Sequence, residues 1–199
     1  MALGDPYATL AELEARLGRV DDGTFVERLD DASRQVEQFT HRQFNKATVA
    51  TARVFRPVDG CLTIVDDFHT VTGLVIATDD TNDGTYGTAW TTAHYELAPP
   101  NGVVSGEAGW PFWMIGAVGG RYFRYASRHN VRVIAQWGWT AVPAGVKEST
   151  LSVVEEIASK SPGRVRGESI DGYSAQYADS EDLGPFAPVA SYRRHEGFA

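Results

Sequence analysis

The chain has 199 residues, of which 43% are hydrophobic and 22% are charged, and its formal net charge is −8. This length suits one domain with appendages, and this composition is that of a globular protein, so intrinsic disorder is excluded for the bulk of the chain. The single cysteine excludes an internal disulfide framework and a cysteine-cluster zinc site.

The sequence contains no signal for a membrane or for secretion. No apolar run approaches the roughly 18 residues that span a bilayer. The first six residues lack the basic start and apolar core of a signal peptide. We therefore expect a chain made in the cytoplasm that does not associate with a membrane.

The first predicted helix covers residues 9–17. Thr9 and Glu12 have the spacing of a capping box, in which each side chain accepts a hydrogen bond from the other residue's backbone. Leucines at helical spacing follow, and Gly18 is a typical helix stop.

Two further amphipathic helices are predicted. The capping pattern recurs at Thr24 and Glu27, and apolar residues at helical spacing predict a helix over 24–42. A third helix is predicted over 143–160, with Pro143 in its first turn. Each helix has one apolar stripe, so the three are expected to pack together.

Between the second and third helices the pattern changes to strands and turns. The predicted strands are Thr48–Arg56, Cys61–Val65, Val71–Thr78, Trp90–Ala98 and Asn130–Trp139. The last is the best defined, because alternation places Val131, Val133, Ala135, Trp137 and Trp139 on one face. Cys61 lies in an apolar run and is expected to be a small buried side chain.

The end of the sequence differs from the rest. From residue 163, Gly, Ser, Asp and Pro separate single aromatic residues, so the segment cannot build its own core and is too aromatic for an inert linker. We predict an extended tail that becomes ordered on a partner. Its candidate contact residues are Tyr173, Tyr177, Phe186, Tyr192, Arg193 and Arg194.

These elements predict an α+β fold: a small helical bundle with an inserted antiparallel β-domain and an extended C-terminal tail. The predicted boundaries are 1–46 for the N-terminal helices, 47–140 for the β-rich domain, 141–162 for the third helix packed on the first two, and 163–199 for the tail that docks on a partner.

No catalytic, cofactor-binding or metal-binding residues are predicted. The acidic loop 79–84 does not have the ligand spacing of an EF-hand, so a solvated hairpin loop is the better interpretation. No two of the five histidines form a close metal-ligand pair, and Ser169 lacks the second glycine of a nucleophile elbow. Enzymatic activity is therefore not expected.

Two surface features remain open at this point. The aromatic run that contains Trp110, Phe112 and Trp113 is either a contact loop for a partner or a loop that fills the core. The series Arg121, Arg124, Arg128 and Arg132 is either a contact for nucleic acid or a solvated strand face. The acidic balance of the chain favours the solvated face, since binding DNA phosphates needs clustered Lys and Arg.

The order of several short motifs resembles one known group of proteins. The motifs are Tyr7–Leu13, Asp31–Phe44, Tyr95–Leu97 with Asn101 and Gly102, Val133–Trp139 with Val142–Lys147, and Glu168–Ser174 with Tyr192–Arg194. Taken in this order, the chain resembles the head-to-tail connector (adaptor, or head-completion) proteins of long-tailed bacteriophages, of the actinophage type.

The resemblance implies a structural virion protein of the phage neck. Members of that family form a ring, usually of twelve copies, below the portal, and double-stranded DNA passes through the channel without sequence-specific binding. The implied partners are the portal protein, neighbouring copies, and the next neck or tail protein (a stopper or tail terminator). The alternatives are a tail-terminator-like ring protein of the virion and a small binding or accessory enzyme domain.

Overall fold

The computed structural model describes residues 4–21, 23–124, 129–159 and 183–194. Helices and an antiparallel sheet give an α+β fold, so the predicted fold class is confirmed. Contacts divide the chain into two units. The helical unit lies within Met1–Arg42 and Val142–Arg194, and the sheet unit lies within Gln43–Ala141.

Helix α1 covers Leu10–Leu17 and begins with the predicted capping box. The backbone N–H of Thr9 donates to the Glu12 carboxylate at 2.7 Å, and the backbone N–H of Glu12 donates to the Thr9 hydroxyl at 3.2 Å. Gly18 ends the helix in the left-handed region at φ 63°, where glycine avoids the Cβ clash of other residues.

Helix α2 covers Phe25–Thr40, as predicted, but its capping residue is not Thr24. Thr24 has helical backbone angles and makes no capping hydrogen bond with its side chain, whereas a capping residue needs an extended backbone. The carboxylate of Asp21 takes this role. It accepts the backbone N–H groups of Gly23, Thr24 and Phe25 at 2.9, 3.1 and 2.9 Å.

Helix α3 covers Ala144–Ser159 and packs against α1 and α2, as predicted. The shared core consists of Ala8, Leu13, Phe25, Leu29, Ala32, Val153 and Val154. At its edge, Arg16 on α1 pairs with Glu148 at 2.8 Å and Glu155 at 2.9 Å on α3. Lys147 on α3 pairs with Glu12 on α1 at 3.0 Å.

The described part of the sheet unit contains eight strands. They are β1 (Thr51–Phe55), β2 (Leu62–Thr78), β3 (Thr88–Trp90), β4 (Tyr95–Ala98), β5 (Val103–Val104), β6 (Glu107–Ala108), β7 (Phe112–Ala117) and β8 (Val131–Trp137). The main sheet has the order β1-β8-β2-β7-β4, and all neighbouring strands are antiparallel. Strand β3 pairs with the C-terminal end of β2. Strands β5 and β6 form a separate hairpin.

Strand β8 has the predicted alternation, and the predicted burial of Trp137 is confirmed at 3% exposure. The indole N–H of Trp137 donates to the backbone carbonyl of Thr51 at 2.9 Å. The only hydrogen-bond donor of this side chain is therefore satisfied. The core around it is rich in aromatic and β-branched residues: Val65, Phe68, Ile76, Trp90, Ile115, Phe123, Val131, Val133, Ala135 and Trp137.

The strand predictions differ from the structure in three places. The predicted runs 61–65 and 71–78 belong to the single long strand β2, whose register against β8 shifts between Thr70 and Val75. The predicted strand 90–98 is divided between β3 and β4. The aromatic run near Phe112 is strand β7. Strand pairing across the sheet, which short-range patterns do not report, decides each case.

The last described residues also differ from the prediction. Gly184–Tyr192 form a 3₁₀ helix that packs on α2 and α3 of the helical unit, whereas an extended tail was expected. The reason is that Val189 becomes fully buried there, which short-range patterns did not indicate. No helix in the described ranges is long and apolar enough to cross a membrane.

Candidate functional site

The C-terminal 3₁₀ helix carries the candidate contact residues that the structure describes. The ring of Phe186 stacks on Phe39 of α2, with ring centroids 4.8 Å apart. The guanidinium of Arg193 lies 5.4 Å from the centroid of the same Phe39 ring, a cation–π distance. Phe186 and Arg193 therefore contact the chain's own helical unit.

One side-chain and one backbone hydrogen bond hold the end of this segment in place. The side chain of Arg42, 8% exposed, donates from Nε to the carbonyl of Tyr192 at 2.7 Å. The backbone N–H of Arg194 donates to the carbonyl of Thr40 at 2.9 Å. A charged donor to a carbonyl is stronger than a neutral one, so Arg42 fixes the end of the segment to the end of α2.

A close backbone approach completes the contact with α3. A Cβ atom added at Gly145 would lie 2.7 Å from the carbonyl oxygen of Pro188 and 3.6 Å from Cε2 of Tyr192. Glycine is thus required on α3 where the 3₁₀ helix crosses it. Sequence reasoning missed Gly145 and Arg42, because no local pattern links residues so far apart in the chain.

The other predicted tail residues, Tyr173 and Tyr177, lie outside the described residues. Of the six candidates, the structure thus brings four together in the described 3₁₀ segment and its end: Phe186, Tyr192, Arg193 and Arg194. Their role toward a partner stays a prediction.

The aromatic run contributes to the sheet. Trp110 lies just before β7, with its ring centroid 6.0 Å from that of Trp113 and 5.1 Å from that of Trp139. Phe112 contacts the buried ring of Phe68, with centroids 5.4 Å apart. Trp110, Phe112 and Trp113 are all half-buried, so each has one side on the sheet unit and one side open to solvent.

The acidic loop 79–84 is a hairpin connection between β2 and β3, as predicted. The Asp79 carboxylate accepts the backbone N–H groups of Gly84 at 2.7 Å and Asp83 at 3.2 Å. Burial alone would raise the pKa of Asp79, but these hydrogen bonds outweigh burial and hold the pKa below its ordinary value. The carboxylate therefore organises the loop.

Metal-binding groups do not come together in the described part of the chain. No three His, Cys, Asp or Glu side chains there are placed to hold a metal ion. Cys61 is exposed, so its predicted burial is wrong. The reason is that Cys61 belongs to the turn before β2, where its backbone N–H donates to the Asp59 carboxylate at 2.7 Å. His69 on β2 is half-buried, and burial lowers its pKa.

Two residues of the arginine series contact neighbouring loops. The Arg124 side chain donates to the carbonyl of Asp80. The Arg132 guanidinium lies 5.1 Å from the centroid of the Tyr86 ring. Arg121 is exposed, and Arg128 lies outside the described residues. These contacts favour a structural role for Arg124 and Arg132 over a contact with nucleic acid.

An apolar row crosses the outer face of the sheet. Ala52 on β1 is paired with Ile134 on β8, and Ile134 is paired with Val75 on β2, so the three side chains share one face. Val54 lies on the same face of β1, two residues further along. Sequence reasoning missed this row, because only the register between strands brings these residues together.

Comparison with known proteins identifies a shared fold. No known protein family matches the chain, and no curated protein matches it. Its structure is similar to a chain in the neck of a native GTA particle computed with C12 symmetry, with 17% identity, a TM-score of 0.57, and coverage of 100% of this chain and 97% of that chain. GTA denotes a phage-like gene transfer agent.

A second solved structure gives the same result. It is a chain in the neck of an empty GTA particle computed with C6 symmetry, with 15% identity, a TM-score of 0.56, and coverage of 100% of this chain and 97% of that chain. At these identities the two comparisons establish the fold alone.

Proposed function

We propose that this protein is a structural component of a phage-type virion neck, where copies of the chain form a ring between the DNA-filled head and the tail. The observation that carries the proposal is the match over the whole chain to a chain of the GTA neck, in a structure computed with C12 symmetry. The protein would be made in the host cytoplasm and act in the assembled particle.

The charge of the chain supports a role beside DNA that does not grip it. A formal net charge of −8 repels phosphate, so a ring of such chains lets double-stranded DNA slide through a central channel. A channel through which DNA passes without sequence-specific binding needs no motif that reads base edges. We therefore propose a DNA channel that continues that of the portal.

The finer assignment is a connector that docks on the portal protein and presents its other end to a stopper or tail terminator. In this proposal the portal contact is made by the C-terminal tail, with Tyr173 and Tyr177 as its apolar anchors. Ordering the backbone of one residue costs about 1–2 kcal/mol of free energy, and aromatic contacts with a partner can offset that cost. Arg193, which is exposed, is placed to add a bond to a carboxylate.

Imaging of labelled particle necks tests the proposal. Particles that carry a tagged copy of the chain should show a ring of this chain directly below the portal. A ring at the far end of the neck, next to the tail tube, would instead identify a tail-terminator-like protein. Particles without the tag in the neck would exclude the structural role and leave a small binding or accessory enzyme domain.

Paired substitutions test the portal contact. Tyr173→Ala combined with Tyr177→Ala should abolish capture of the chain by purified portal rings, while Ser174→Ala serves as the matched control. Unfolding followed by circular dichroism should be the same for both variants. Full capture of the double variant would remove the proposed role of the tail tyrosines.

A further inference from the structure

Part of the outer face of the sheet is apolar, although solvent-facing positions are ordinarily polar. In an antiparallel sheet with one buried face, the outward residues usually alternate as polar side chains. Here Ala52, Ile134 and Val75 form a row across β1, β8 and β2, and Val54 lies beside it on β1, opposite Arg132 of β8. Val54 and Val75 are 47% and 42% exposed. We call these four residues the valine face.

The valine face ends at an open strand edge. Among the described residues, β1 pairs with β8 on one side and with no strand on the other. An edge strand can pair with a second chain, and proteins usually prevent this with charge or proline. Arg53 is the one charged residue of β1, but its guanidinium lies 4.6 Å from the Trp137 ring centroid and 2.6 Å from Asp66. It is therefore held on the inner side.

A second apolar patch lies elsewhere on the same unit. Tyr122 is 70% exposed and Val58 is 38% exposed. Their segments adjoin, because the backbone N–H of Phe123 donates to the carbonyl of Gly60 at 2.8 Å. Tyrosine is favoured in protein contacts, since it combines a large apolar ring with a hydroxyl. We call Tyr122 and Val58 the tyrosine patch.

We propose that the valine face of one copy binds the tyrosine patch of the next copy, with the open edge of β1 providing main-chain hydrogen bonds at the rim. This inference rests on the proposed function. A closed ring joins identical copies head to tail, so each copy must carry two different, complementary patches. The necks that contain chains of this fold were computed with C12 and C6 symmetry, which favours a second copy of the chain as the partner that covers the valine face.

Single substitutions on each patch test the contact in the full chain. Val75→Glu damages the valine face, since Val75 is paired with the apolar Ile134, and Tyr122→Glu damages the tyrosine patch. Val103→Glu is the matched control, since Val103 is a similarly exposed valine on the separate β5–β6 hairpin. Self-association is measured by sedimentation velocity over a range of concentrations, and tryptophan fluorescence on unfolding checks that each variant is folded.

The expected result is that each patch variant associates about 100-fold more weakly than the wild type, because burial of an unpaired charge is costly. Val103→Glu should associate like the wild type. A mixture of Val75→Glu and Tyr122→Glu should form a one-to-one dimer with wild-type affinity and no larger species, because each variant keeps the patch that the other lacks.

Three outcomes would overturn the inference: wild-type chain that stays monomeric at every concentration, patch variants that associate as well as the wild type, or a mixture that stays monomeric. None of these would affect the proposed function, which depends on the ring seen in the imaged neck. Conversely, a neck without this chain would reject the proposed function even if the two patches bind each other.

Discussion

The helical unit and the sheet unit are stabilised by different contacts. The helical unit buries mostly small and aliphatic side chains, with the aromatic residues Tyr7 and Phe25, and joins its helices with ion pairs such as Arg16–Glu148. The sheet unit buries large aromatic rings in a continuous stretch of chain. All five tryptophans of the sequence lie in the sheet unit. Tryptophan fluorescence therefore reports on the sheet unit, and helical circular dichroism reports on the helical unit.

The two units also differ in how the chain builds them. Among the described residues, the sheet unit uses one segment, whereas the helical unit joins the segments before and after it and is completed by the 3₁₀ helix Gly184–Tyr192. Changes near the C-terminus should therefore weaken the helical unit and leave the sheet unit unchanged. This difference makes separate predictions for the two spectroscopic signals.

The largest effect is expected for Gly138→Ala in the sheet unit. A Cβ at Gly138 would lie 1.7 Å from the carbonyl oxygen of Asn45, and φ there is +90°. The variant should lose about 4 kcal/mol or more of unfolding free energy, measured by tryptophan fluorescence in urea. Gly84→Ala is the control, because φ is +92° but no atom lies within 4 Å, so only about 1–2 kcal/mol should be lost.

Trp137→Ala should destabilise the sheet unit by about 3–5 kcal/mol, because it removes a buried ring from the centre of the core. The change also leaves the carbonyl of Thr51 without the indole donor. The remaining tryptophans report the unfolding midpoint, and Val49→Ala, at an exposed position, should leave it unchanged. An unchanged midpoint for Trp137→Ala would contradict the importance of its burial.

Gly145→Ala should change the stability of the helical unit in opposite directions in the full chain and in a shortened chain. In the full chain the new methyl group collides with the carbonyl of Pro188, so about 1–3 kcal/mol of stability should be lost. In a chain that ends at residue 182 the collision is absent, and alanine should stabilise the helix by up to about 1 kcal/mol. Helical circular dichroism during unfolding measures both effects.

The same experiment tests a prediction that follows from the sequence of the tail. A segment without a continuous apolar face adds little to the folded body, so deletion from about residue 168 onward is predicted to leave the body intact and abolish docking on the portal. In the structure, however, Val189 is fully buried and Phe186 stacks on Phe39. The truncated chain should therefore have a less stable helical unit and an unchanged sheet unit. Equal loss of both signals would contradict the independence of the two units.

The smallest effect is expected from acid. The hydrogen bond from the Thr9 backbone, together with Lys147, lowers the pKa of Glu12 from 4.5 to about 2. A carboxyl with a lowered pKa stabilises the folded state above its unfolded pKa, and this stabilisation is lost as the pH falls from 4.5 towards about 2. Because Glu12 is partly exposed, less than about 1 kcal/mol is at stake.

A comparison of acid titrations checks this prediction. Glu12→Gln should remove part of the pH dependence of helical unfolding between pH 4.5 and about 2, and the sheet signal should not change. A wild-type helical unit whose stability does not vary in this window would contradict it.

Sequence reasoning succeeded for the helices because their signals are local. Thr9 and Glu12 cap α1 within one turn, and the apolar stripe of α2 repeats within a few residues. It failed for the cap of α2, where Asp21 outcompetes Thr24. Both residue types cap helices, and the path of the chain before the helix decides which one is used.

The amino-acid sequence by itself determined the α+β class, the three helices and the buried face of β8, since each depends on periodicity along a single element. The tertiary structure decided the fusion of two runs into β2, the closure of the helical unit by the 3₁₀ helix at Gly145, and the outer row that joins Ala52, Ile134 and Val75. These features depend on strand register and on contacts between distant segments. The free energy of such contacts comes from packing that forms only in the complete fold.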